Sequence, residues 1–228
     1  MGSKRVSVAF FDLDKTLIAR NSAVLWIRRQ LREGKEGVLA RMGALRVLSW
    51  LTRYSLGWGG GGAIPLLEAM EGFAGVSHEE ILEQSRRFYE EEVRRLYRPG
   101  ALEALKQQRQ AGCLCILLSS TTQYLGELVA ADLGLDGCLA NVLETDAEGR
   151  LSGRVEGIVC YGRGKLHKAQ AKLAELNVAI EDCSFYTDSY ADLPVMEAVG
   201  SPVAVNADMR LKWWAQLRGH PIVDWGVP

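Results

Sequence analysis

Short runs of consecutive apolar, β-favouring residues recur along this chain, and each ends in small polar or acidic side chains. Val6–Phe11 runs into Asp12. Cys113–Leu118 runs into Ser119, Ser120, Thr121 and Thr122. Cys183–Thr187 ends at Asp188, and Pro202–Val205 ends at Asn206. Unbroken apolar runs of this length predict strands buried on both faces. Between them the apolar spacing turns helical. Ala101–Gln110 stops at Gly112, Gln123–Leu133 at Gly134, and Lys165–Leu176 at Asn177, residues that suit a left-handed helix end. Strands alternating with helices predict an α/β fold: a Rossmann-like parallel sheet with helices on both faces. Ligands of such sheets bind beyond the carboxyl ends of the strands, where the polar clusters fall.

Residues 21–95 interrupt the alternation. They show helical spacing and no strand run, and read as a small α-helical cap inserted after the first strand, with 1–20 and 96–228 forming the core domain. Within the cap, residues 78–97 carry an amphipathic pattern (Ile81, Leu82, Phe88, Tyr89, Val93, Leu96) with Ser77 as N-cap, and Gly59–Gly62 breaks the chain. Asp146–Gly149, between Val142 and Val155, predicts a hairpin turn.

The chemistry concentrates at the strand ends. Asp12 and Asp14, two residues apart behind a buried strand, are costly together unless a cation lies between them. A hard divalent ion would remove that cost and act as a Lewis acid. Asp12 could then attack phosphorus, and Asp14 could protonate the leaving oxygen and activate water. Asp188 and Asp192 follow another strand and could join the same ion, Asp192 through water or by orienting its neighbours. Ser119 and the backbone beyond it suit phosphate oxygens. Gly162-Arg163-Gly164-Lys165 lets backbone approach closely, with Lys165 neutralising the nucleophile and the phosphoryl group. Singly, each has a plain explanation as a turn, a cap or a solvated loop. Their order, each piece behind its own strand, gives them weight.

That order resembles the haloacid dehalogenase-like (HAD) phosphatases, and within them the phosphoserine-phosphatase-like subfamily IB. The motif FFDLDKTLI carries the resemblance, with LYRPGALEAL, ILLSSTT, GRLSGRVEGIVCYGRGK and FYTDSYADLPVMEAVGSPVAVN behind it. It spans residues 6–20 and 90–225, and only loosely the cap. The resemblance implies a Mg²⁺-dependent phosphomonoesterase acting on a small phosphorylated metabolite. Asp12 would be its nucleophile and Asp14 its general acid/base. Ser119, Ser120 and Lys165 would hold the phosphoryl group. Mg²⁺ would sit on Asp12, the Asp14 carbonyl and Asp188, with Asp192 in support. Two departures bear on substrate. Asn21 stands where phosphoserine phosphatases carry a Glu for the substrate's amino group, so Asn21 becomes a candidate substrate contact. Trp58, Gly59 and Gly60 precede Gly61-Gly62-Ala63-Ile64-Pro65, where such enzymes hold a cap Arg. Phosphoserine is therefore not the expected substrate. Lys15 and Ser189 replace common glycines of the family's motifs.

Other activities on the same residues are a phosphotransferase or phosphomutase, or a lipid-phosphate phosphatase. A receiver-type phospho-binding module is shorter and places its acceptor Asp on a later strand. A dehalogenase lacks the acid at position 14. The remaining features change little. With 228 residues, a net charge of −1 and a pI near 6.3, the chain has no basic excess for nucleic acid. The five cysteines form no CxxC pair, and Cys113 and Cys115 should face one side of their strand. A cytoplasmic setting, no signal or lipidation motif and no membrane contact are expected. Residues 21–58 hold seven basic and two acidic side chains with interleaved aromatics (Trp26, Trp50, Tyr54, Trp58). A solvated cap explains these better than capture of a polyanion. His78, His167 and His220 lack metal-ligand spacing, and Trp213 and Trp214 read as packing residues.

Overall fold

The computed structural model describes residues 7–34 and 63–228. Lys35, Arg41, Arg46, Arg53, Trp50, Tyr54, Trp58 and the Gly59–Gly62 break lie outside the described residues.

Six parallel strands form one sheet: β1 (Val8–Phe11), β2 (Leu114–Thr122), β3 (Gly137–Asn141), β6 (Ser184–Thr187), β7 (Ser201–Val205) and β8 (Ile222–Val223). Their spatial order is β3-β2-β1-β6-β7-β8. The side-chain period of two divides the interior. Val8 and Phe10 of β1 and Ile116 and Leu118 of β2 enter one buried cluster, with Ala169, Leu173 and Leu211 of covering helices. Ala9, Phe11, Cys115 and Leu117 enter the other, with Leu105, Leu125 and Val129. Cys113 packs on that same side, as the alternation requires, and the described cysteines are all free thiols. Burial on both faces is why these runs carry no polar alternation.

The helices are α1 (Ser22–Arg32), α2 (Ile64–Glu71), α3 (His78–Phe88), α4 (Pro99–Ala111), α5 (Gln123–Leu133), α6 (Arg163–Leu176), the short α7 (Leu193–Met196) and α8 (Met209–Arg218). Gly112, Gly134 and Asn177 all take the left-handed conformation just past α4, α5 and α6. The amphipathic run at 78–97 is capped by Ser77, whose hydroxyl accepts from Glu80 N–H at 3.1 Å. It is not one uniform helix: it widens into a π-helical turn over Tyr89–Val93 and tightens into a 3₁₀ turn over Arg94–Leu96. Phe88, Tyr89 and Val93 there pack into the cluster beneath the sheet.

The hairpin forms from β4 (Leu143–Thr145) and β5 (Leu151–Val155). The Asp146 carboxylate accepts from the N–H groups of Glu148 and Arg150 across the turn. Leu143 and Leu151 of the hairpin join Leu66, Met70, Phe73 and Ile81 in a third apolar cluster. Of the basic stretch, Arg29 pairs with Glu33 and Glu91, both at 2.7 Å, and Arg32 pairs with Glu92. Those two charges are met within the protein. Trp214 is buried, but Trp213 is 66% exposed and does not pack as expected, because α8 turns it outward beside a buried neighbour. None of the described helices is long and apolar enough to cross a membrane.

Candidate active site

Strand connections reverse direction between β1 and β6: β2 and β3 lie to one side of β1, and β7 and β8 to the other side of β6. Such a switch point opens a crevice at the carboxyl edge. Register places the acidic residues there. Phe11 aligns with Leu117 on one side and Tyr186 on the other. Asp12 extends the ladder by one bond, its N–H donating to Tyr186 O at 2.9 Å. Ser119 and Asp188 therefore each stand one residue beyond the row that Asp12 occupies.

Asp12, Lys165 and Asp192 meet directly. Lys165, at the start of α6, donates to Asp12 Oδ1 and Asp192 Oδ2, each at 2.8 Å. All three side chains are buried. Asp192 Oδ2 also accepts from the Thr187 hydroxyl at 2.7 Å, and Thr187 Oγ1 accepts from Ser189 N–H. Burial alone would lower the Lys165 ammonium, but the two carboxylates outweigh it and hold its pKa above the ordinary value. Burial pushes the Asp12 carboxyl up to about 7, partly offset by Lys165. Burial, and then the charge of Asp12, raise Asp188 well above the usual carboxylate range. The approach of Lys165 depends on its neighbouring glycine. A Cβ on Gly164 would lie 1.8 Å from Val159 O, so any other residue there displaces the start of α6.

Asp14 is held differently. Its Oδ1 accepts from the backbone N–H of Ser22, at the start of α1, at 2.8 Å. Burial raises its pKa, and the bond from Ser22 opposes that shift. The loop from Asp12 to Ile18 closes on itself through Thr16 N–H to Leu13 O and Ile18 N–H to Leu13 O. Lys15 takes φ +59° in it, a conformation that favours glycine. Buried Arg98 fastens this loop, donating to Lys15 O at 3.2 Å and to Gly226 O in the C-terminal tail.

Ser119 is buried, and its hydroxyl accepts from Thr121 N–H at 3.3 Å. β2 does not end at Ser119 as the apolar run suggested. It continues to Thr122 through a register irregularity against β3, because the β-branched Thr121 and Thr122 sustain an extended backbone. Sequence reasoning passed over Asn141. Fully buried at the end of β3, it donates to Ser120 O at 2.7 Å and accepts from Cys160 N–H at 2.8 Å. It thus clamps the end of β2 at Ser120 to the approach to Lys165. A polar residue ending a short strand was its one available signal.

Asp14, Asn21, Ser22, Ser120, Thr121 and Thr122 line one side of a cleft of about 930 Å³, part of it open to solvent. Asn21 reaches this cleft, yet its side-chain oxygen is taken up by capping α1, accepting from Val24 N–H at 3.0 Å.

Of the four acidic side chains named from the sequence, Asp14 and Asp192 are turned to partners within the protein, Asp14 to the α1 N-terminus and Asp192 to Lys165 and Thr187. Among the described residues no group of three or more His, Cys, Asp or Glu side chains is arranged to hold a metal. Asp12 and Asp188 remain, near enough that the charge of Asp12 raises the Asp188 carboxyl.

The parallel sheet with acidic residues at its switch point agrees with the comparisons. The haloacid dehalogenase-like hydrolase family matches residues 9–197, and the chain belongs to that family. A Mycobacterium tuberculosis H37Rv protein named phosphoserine phosphatase SerB1 is 29% identical over 227 residues, covering 97% of this chain and 71% of that protein. The histidinol-phosphatase of Neisseria meningitidis serogroup C is 28% identical over 221 residues, covering 96% of this chain and 98% of that protein. A solved structure from Bordetella pertussis Tohama I, of a protein with unknown function, matches with TM-score 0.85 at 28% identity over 98% of this chain and 100% of that one.

Proposed function

We propose that this hydrolase is a Mg²⁺-dependent phosphomonoesterase whose nucleophile is Asp12. The observation that carries the reading is the buried Lys165–Asp12 pair, at 2.8 Å, at the carboxyl edge of β1 and β6, where the strand connections reverse direction. The ammonium fixes one oxygen of this buried carboxyl and opposes the protonation that burial favours, as an activated nucleophile requires. The phosphatase names of the two relatives support the same activity. That one is named for phosphoserine and the other for histidinol phosphate leaves the leaving group to be read from the cleft.

In the first step Asp12 attacks phosphorus, the ester P–O bond breaks, and Asp14 gives its proton to the departing oxygen. The product is an alcohol and an aspartyl-phosphate. In the second, the Asp14 carboxylate takes a proton from water, whose oxygen attacks phosphorus. The acyl–phosphate bond breaks, releasing inorganic phosphate and restoring Asp12. Lys165 and the Ser119 hydroxyl hold the phosphoryl oxygens, with Ser120 N–H beside them. Asp192 and Thr187 position Lys165. The Asp14–Ser22 bond suits the two roles of Asp14, because it ties the acid to α1 at the mouth of the cleft.

The donor set fits a hard cation: two interacting buried carboxylates, Asp12 and Asp188, and a main-chain carbonyl at Asp14, all oxygen ligands. Bound there, Mg²⁺ would act as a Lewis acid toward the phosphoryl group. Residues 21–95 would serve as the cap over the core formed by 1–20 and 96–228. The free thiols suit a cytoplasmic setting.

The test is hydrolysis of p-nitrophenyl phosphate by the purified protein. Asp12→Asn should abolish turnover, and EDTA should stop it with recovery on adding Mg²⁺. Retained activity in the variant, or indifference to chelation, refutes the assignment.

A further inference from the structure

The described residues that wall the cleft beside Asp14 offer no charge pair for a zwitterionic substrate. Away from the phosphate end the described lining is mostly apolar, with Trp26, Ile27, Leu66, Met70, Phe73 and Ile81 among it and the neutral Ser85 and Tyr161 as its polar members. Those apolar residues come from α1, α2, the turn after α2, and α3. Asp14 is the one charged side chain among the described residues that line it. Of the three basic residues of α1, Arg29 pairs with Glu33 and Glu91 and Arg32 with Glu92, while Arg28 is exposed and does not line the cleft. Asn21, at the position that would meet a substrate's amino group, uses its side-chain oxygen to cap α1. The described wall therefore has no cation for a carboxylate. Asp14, the one acid, is held by Ser22.

We infer that the substrate is a phosphate monoester of an apolar alcohol, its hydrocarbon part seated between α1, α2 and α3. This rests on the phosphatase reading and names the leaving group for it. A buried ammonium or carboxylate without a partner would weaken binding strongly, whereas each methylene moved from water into this wall adds affinity.

Two series test it. In the first, methyl-, butyl- and hexylphosphonate, which cannot be hydrolysed, are titrated calorimetrically into the protein in Mg²⁺ buffer. The Kd should fall about fourfold for each methylene added until the wall is filled. In the second, kcat/KM is measured for methyl, butyl and hexyl phosphate, O-phosphoserine and histidinol phosphate. Hexyl phosphate should exceed both amino-bearing esters by about 100-fold or more. Met70→Gln and Phe73→Leu should each flatten the dependence on chain length, and either variant suffices if the other does not fold. A flat chain-length dependence, or a preference for O-phosphoserine or histidinol phosphate, overturns the inference. Phosphonates that bind with the expected dependence while no ester is hydrolysed would uphold the apolar cleft and overturn the phosphatase reading instead.

Discussion

Replacing Lys165 by Met tests the site where its energetics are most exposed. The substitution keeps much of the side-chain volume and removes one buried charge. It leaves Asp12 and Asp192, both buried and both bonded to Lys165 Nζ at 2.8 Å, without a cation. Removing one partner of a buried ion pair costs about 3–5 kcal/mol, because the other charge stays buried and uncompensated. For a chain of this size that is a fall in Tm of about 6–20 °C. The cost must depend on pH. In the parent, burial already raises Asp12 to about 7 from 3.8. A carboxyl whose folded pKa exceeds its unfolded value favours folding below the unfolded value and loses that contribution as pH rises through the folded one. Without Lys165 the raising effect of burial on Asp12 is unopposed, and Asp192 loses the same ammonium. The stability gap between parent and variant should therefore be wider at pH 8 than at pH 5. Urea unfolding at both pH values, without added metal, measures it. Activity on p-nitrophenyl phosphate should fall at least about 10²-fold, as for a lost electrostatic contact to the reacting group. A gap under about 1 kcal/mol, or one that narrows as pH rises, would refute the reasoning.

Three other outcomes are expected. Asp14→Asn should lower kcat at least about 10²-fold, with a smaller loss for esters of acidic phenols than for alkyl esters, because a good leaving group needs less protonation; equal losses across the series would remove Asp14 as the acid. Lys15→Gly should raise stability by about 0.5–1 kcal/mol in urea unfolding, since Lys15 holds φ +59° at a steric cost that glycine avoids; a destabilised variant would contradict this. Asn141→Ala should slow turnover by loosening the clamp on Ser120 and Cys160 and should destabilise by about 1–3 kcal/mol through the buried groups left unpaired; an unchanged enzyme would show that the clamp has no part.

The parallel sheet was readable in the chain because its strands are buried on both faces, so Val8–Phe11 and Leu114–Leu118 stand out as unbroken apolar runs, and Ser184–Thr187 as a β-favouring run with an aromatic centre. The helix ends were readable because Gly112, Gly134 and Asn177 mark left-handed turns. β3 and β8 were not, since Gly137–Asn141 begins with a glycine and ends with a polar residue, and Ile222–Val223 is two residues long. The change of winding at Tyr89 was hidden too, because apolar spacing continues through it while the backbone responds to packing beneath the sheet. In the site, the residues that end strands could be named from sequence order. Their pairings could not. That Asp192 would hold Lys165 and that Asp14 would turn to the α1 N-terminus depend on where α1 and α6 begin in space. The apolar wall of the cleft is likewise tertiary. Trp26, Met70, Phe73 and Ile81 come from separate elements and read singly as ordinary core residues.

The central claim is that a phosphoryl group passes through Asp12. Brief mixing with a hydrolysable ester, acid quenching and borohydride reduction convert an aspartyl-phosphate to homoserine, which peptide mass spectrometry locates. Homoserine at position 12 is predicted, absent in Asp12→Asn. Turnover with the reduced residue elsewhere, or with phosphate attached to Ser119, would contradict it.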